Sequence, residues 1–84
     1  MTLENAMKLM EEAKNILENN RLYHPVELDE NNEIIVEITW GDWKHDHAYV
    51  KYLLTTELGL KFTGTEVTES DGSDCYSAIH YFRR

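Results

Sequence analysis

With 84 residues, 42% of them hydrophobic and 11% aromatic, the chain has the length of one small α+β domain and too much apolar character for disorder. Its 16 acidic and 8 basic side chains give a net charge of −8, a field that repels phosphate backbones and anionic membranes and attracts basic proteins or cations. Direct nucleic-acid and membrane binding are therefore not expected. Net charge also keeps a small protein soluble, which is the plainer explanation. The single cysteine, Cys75, cannot form an internal disulfide. The opening "MTLENAMKLMEEAK" has neither a basic n-region nor an unbroken apolar run. A reducing, cytoplasmic setting without signal peptide or membrane span is expected.

Residues 2–19 read as a helix. Leu3, Ala6, Met7, Met10, Ala13 and Leu17 recur at spacings of three and four, with Leu9 and Ile16 widening the stripe. The methionines are read as core fillers. Thr2 is placed to cap the helix, and Asn19 or Asn20 to end it in left-handed geometry. Residues 26–29 form a short strand starting after the only proline, Pro25, as suits an edge. Residues 33–40 are the clearest strand, with Ile34, Val36, Ile38 and Trp40 on one face and Glu33, Ile35, Glu37 and Thr39 on the other. Keeping both apolar faces on one side sets Leu28 across from Ile34 and Val26 across from Val36. A loop of odd length, Glu30-Asn31-Asn32 with Asn32 left-handed, accomplishes this.

Residues 42–58 read as a second helix, with Trp43, His47, Val50, Leu54 and Leu58 on its core stripe, Asp42 as its cap and Gly59 as its C′ residue. Two strands follow. Phe62 and Val67 fall on opposite parities, so a bulge at Gly64 is expected between them. "SDGSD", residues 70–74, is a turn. Residues 75–83 close the chain, apolar on both faces as a central strand requires.

The order α-β-β-α-β-β is that of a ferredoxin-like chain permuted by moving its first strand to the end. It predicts a two-layer α+β fold, a four-stranded antiparallel sheet with both helices on one face and the last strand beside strand 33–40. The competing topology sets two hairpins side by side, with the second helix crossing between parallel neighbours.

Chemistry-bearing residues gather in "WGDWKHDHAY", residues 40–49. On a helix Asp42, His45 and Asp46 share a side and could reach one ion, which makes a small metal-dependent enzyme one candidate. His45 and His47 point apart on a helix, no Cys-x-x-Cys or His-x-x-x-His spacing occurs, and capping accounts for Asp42. The histidines are read as partly exposed. Cys75 with His80 as base would be a nucleophilic pair, but an odd separation puts them on opposite strand faces. A half-buried structural cysteine is expected instead. The four glycines fall singly, so no phosphate-cradling loop exists. Neither catalysis nor a metal or cofactor is expected.

Interaction surfaces are the better-supported class. Strand parity puts Glu27, Asp29, Glu33, Ile35, Glu37 and Thr39 on the outer sheet face, joined by Cys75, Ser77, Ile79 and Tyr81. Carboxylates among apolar groups suit a basic groove with an apolar floor. The corner acids Asp42 and Asp46, together with His45, Tyr49, Tyr52 and Thr56 on the second helix, form another patch. In size, acidity, α+β pattern and lack of catalytic motifs the chain resembles the small phage-encoded inhibitors of host nucleases, of anti-CRISPR and anti-restriction type. That resemblance implies a non-enzymatic inhibitor whose carboxylates stand where phosphates would sit. The alternative from another class is a homo-oligomeric structural or regulatory protein joined through the exposed sheet face. The oligomeric state is left open.

Overall fold

The computed structural model describes residues 2–84. Helix α1 (Leu3–Asn19) is followed by β1 (Val26–Leu28) and β2 (Ile34–Asp42). A π-helix (Trp43–Ala48) then runs into α2 (Tyr49–Glu57), and β3 (Lys61–Ser70) and β4 (Cys75–Arg83) complete the chain. The strands form one open sheet in the order β1-β2-β4-β3, every neighbouring pair antiparallel. Ile34, Val36 and Ile38 of β2 and Phe82 of β4 meet Leu9, Ala13 and Leu17 of α1 and Val50, Leu53 and Leu54 of α2 in one buried cluster. Among the described residues no helix is long and apolar enough to cross a membrane.

Thr2 caps α1, its hydroxyl accepting the Asn5 N–H at 3.2 Å. The buried stripe is Ala6, Leu9, Ala13 and Leu17; Leu3 and Met7, expected in the core, are more than half exposed. The contact face runs along Ala6, Leu9, Ala13 and Leu17, and Leu3 and Met7 lie to one side of it. The left-handed residue that ends α1 is Arg21 (φ 61°), not an asparagine. Leu22 N–H returns to Leu17 C=O at 2.8 Å and Arg21 N–H to Glu18 C=O at 3.0 Å, the paired bonds of a Schellman motif. Leu22 and Leu17 share the core, so their burial fixes which residue must turn left-handed. Asn20 stays right-handed and bonds its side-chain amide to Ile16 C=O.

The β1–β2 register pairs Val26 with Val36 and Leu28 with Ile34, as parity requires. Asn32 is left-handed (φ 61°), and Asp29 Oδ1 accepts the N–H groups of Asn31 and Glu33. A bulge at Gly64 resets the phase of β3 as expected, and a second interrupts it between Val67 and Glu69.

The corner after β2 departs from expectation. The strand extends to Asp42, with a bulge between Ile38, opposite Ala78, and Gly41, opposite Tyr76. Trp40 lies inside that bulge at φ 50° and is 44% exposed; Gly41 takes the buried position intended for it. The first turn of the second helix is a π-helix, so Trp43 lies above Ala48 rather than His47 and is half exposed. Both tryptophans expected on the core side are therefore surface groups. Cys75, expected to be half-buried, is exposed.

Candidate protein-interaction surface

On the outer sheet face, register sets Glu27 beside Ile35 and Ile35 beside Tyr81. The next row runs Glu37, Ile79, Glu66 across β2, β4 and β3. Ile35, Ile79 and Tyr81 thus form a half-covered apolar strip between exposed Glu27, Glu37 and Glu66. The Tyr81 hydroxyl donates to Glu66 Oε1 at 3.0 Å, and that bond to an anion holds the phenol pKa above its ordinary value. Lys61 and Arg83 oppose each other at one end, near Glu33, leaving the centre of the face acidic.

Of the acids assigned to this face by parity, Glu27, Glu33 and Glu37 lie on it. Asp29 does not act there: its carboxylate is turned into the β1–β2 loop. Glu66 joins the face only because the Gly64 bulge shifts β3 by one position, a step that strand parity does not reveal without a known register.

Asp42 and Asp46 are occupied at the corner. Asp42 Oδ1 accepts the N–H groups of Lys44 and His45, and these bonds, His45 first, lower its pKa. Asp46 Oδ2 accepts the Asp42 N–H at 2.8 Å, and its Oδ1 meets His24 Nε2 at 3.1 Å. Among the described residues no three His, Cys, Asp or Glu side chains are placed to hold one metal ion. His45 is exposed on a different side, where it lines a shallow depression of about 380 Å³ with Lys44, Ala48, Tyr49 and Tyr52. Tyr49 and Tyr52 stand nearly parallel, 6.3 Å apart, and the Tyr49 hydroxyl donates to Asn20 Oδ1. Thr56 bonds back to Tyr52 C=O and does not line the depression. With Lys44 and His45 at its rim, this patch lacks the acidic character of the sheet face.

The sheet's inner face holds a group of residues that periodicity did not connect. His47, on the core stripe of the second helix as its spacing requires, is buried, and so is His80; neither is partly exposed. His47 Nε2 lies 2.9 Å from Tyr76 C=O, His47 Nδ1 lies 2.8 Å from His80 Nε2, and His80 Nδ1 lies 2.8 Å from Thr65 Oγ1. A carbonyl only accepts, so His47 Nε2 carries a proton and neutral His47 Nδ1 accepts. His80 Nε2–H must then donate to it, and the Thr65 hydroxyl donates to His80 Nδ1. The His47 ring stacks on Tyr76 at 3.9 Å. Burial, and next the nearby His47, push the His80 pKa down to about 4. The hydroxyl-to-histidine contact has the outline of an activated nucleophile, but a base this weak removes little proton density from threonine at neutral pH. The chain also ends on a carbonyl, which cannot pass a proton on. The arrangement satisfies buried polar groups. Its sequence signals are His47 on the core stripe of the second helix and His80 on the Phe82 side of the last strand; Thr65 joins them only once the bulge is counted.

The geometry defines an α+β protein with an acidic, apolar-centred outer sheet face. Comparison with protein-family models, curated proteins and solved structures finds no match.

Proposed function

We propose that this chain is a non-enzymatic acidic binding module that docks a partner protein with a basic surface through its outer sheet face. The observation that carries this reading is the paired rows Glu27–Ile35–Tyr81 and Glu37–Ile79–Glu66, which place carboxylates on both sides of an apolar strip. Long-range attraction from the carboxylates speeds encounter, and burial of the strip supplies the short-range contribution. A nucleic-acid-handling enzyme is the partner class that best matches such a surface, since its binding groove is basic. In that reading the module is an inhibitor of anti-CRISPR-like or nucleic-acid-mimic type, acting in the cytoplasm without touching nucleic acid or membrane. The strand order β1-β2-β4-β3 supports describing the fold as a permuted ferredoxin-like chain.

The test compares wild type with the double variants Glu33→Lys/Glu37→Lys and Glu37→Lys/Glu66→Lys as immobilised bait in extract from the native host. Mass spectrometry identifies the proteins retained. Basic proteins held by wild type, released by added salt and lost from both variants are expected. Retention equal across all three baits, or insensitive to salt, overturns the reading.

A further inference from the structure

No residue of β3 is buried, and none belongs to the core cluster. Beyond its ladder with β4, side-chain contacts hold the strand, among them the Phe62 ring set edge-on to Phe82 at 5.7 Å. Lys51 lies 4.9 Å over the Phe62 ring, Tyr81 bonds Glu66 on the outer face, and Thr65 bonds His80 on the inner face. Phe62 also covers His80, its ring 6.1 Å away. β3 is thus the flank that keeps water from His80, while the helices and β2 cover the rest. Separating β3 from β4 exposes His80 and the edge of Phe82 that Phe62 covers, and takes no residue out of the core cluster.

We propose that the Thr65–His80–His47 chain is an acid-released latch: protonation of the histidine pair frees β3 from the sheet while α1, β2 and α2 stay folded. One proton arrangement satisfies all four groups when both rings are neutral. A first added proton can be shared along the chain, with the Thr65 hydroxyl rotating to accept, but it places a cation in a dry site. Lys51 of α2 and His24 of the α1–β1 connection add repulsion to it. Asp42, heading the π-helix that bears His47, is the acid acting on that ring. Among the described residues no carboxylate hydrogen-bonds to either imidazole. A second proton sets two N–H groups against each other across the 2.8 Å contact. Lifting β3 hydrates His80 and relieves both penalties, so acid favours the open form.

Amide hydrogen exchange followed by NMR at pH 7 and pH 4.5, corrected for intrinsic rates, tests this. With His80 at about 4 closed and 6.5 open, the open population of residues 63–70 rises about 50-fold between the two pH values. Amides of α1 and β2, which exchange only through global unfolding, stay better protected than those of β3 at both pH values. His80→Gln, which cannot titrate, loses the pH dependence and also separates it from titration of Glu66. Should His80→Gln fail to fold, Thr65→Val serves instead. It raises β3 opening at pH 7 while keeping the acid response. Exchange in β3 that is unchanged by pH, or that is no faster than exchange of the α1 and β2 amides at pH 4.5, overturns the latch.

Discussion

Gly41 lies on the inner face opposite Tyr76, and a methyl group there would collide with Ile38 Cγ2 and come within 2.9 Å of Asp46 Cβ. Neither neighbour can yield easily. Ile38 is fully buried, and Asp46 is tied to both His24 and the Asp42 backbone. Gly41→Ala should therefore lower stability by about 1–3 kcal/mol in urea unfolding, the usual range for overpacking. Unchanged stability would mean that the corner relaxes freely. His80 provides a second residue-level prediction. Its pKa is depressed on folding, so between pH 6.5 and about 4 the unfolded chain binds more protons than the folded one. The stabilisation is complete above pH 6.5, declines as pH falls and is lost below about 4. It amounts to roughly 3 kcal/mol in full. Urea midpoints from pH 7.5 to 4 should follow that slope in wild type and flatten in His80→Gln.

At the scale of elements, the Schellman turn after α1 places a non-glycine residue, Arg21, at φ 61°. A side chain in that region is strained, and glycine relieves the strain while adding freedom to the unfolded chain. Arg21→Gly should stabilise the protein by roughly 0.5–1 kcal/mol, measured by thermal or urea unfolding. The same turn shows where periodicity runs out. Helix and strand positions, the β1–β2 register, Asn32, Gly59 and the Gly64 bulge were legible because each follows from local spacing or from a residue with special backbone freedom. The left-handed residue of α1 was not, since burial of Leu22 against Leu17 chose it. Trp40 and Trp43 were misplaced because a bulge and a π-turn each insert a residue and rotate everything beyond them. Half of the outer face was readable as alternation in 26–39. Glu66 and the Thr65–His80–His47 chain depended on the β3–β4 register, which is a long-range property.

For the whole molecule, the charge of −8 and the form of the outer face decide between two ways of covering the Ile35–Ile79–Tyr81 strip. A symmetric dimer would lay this face on itself, since a two-fold interface uses the same patch from both copies. Glu27, Glu37 and Glu66 would then confront a second set of the same carboxylates, with Lys61 and Arg83 confined to one end. Self-association is disfavoured on that account, most strongly at low ionic strength where screening is weakest. The edges give little alternative. β1 is three residues long, and β3 is interrupted by two bulges and carries Lys61, Glu66 and Glu69, devices that discourage strand addition. Light scattering coupled to size exclusion should therefore return the monomer mass of 9.9 kDa at low salt and high protein concentration. Glu37→Lys/Glu66→Lys, which removes the repulsion and leaves the strip, should move the mass upward if the apolar strip is available. A wild-type dimer at low salt would show that the strip overcomes its carboxylates, and would favour the homo-oligomeric reading over a basic partner.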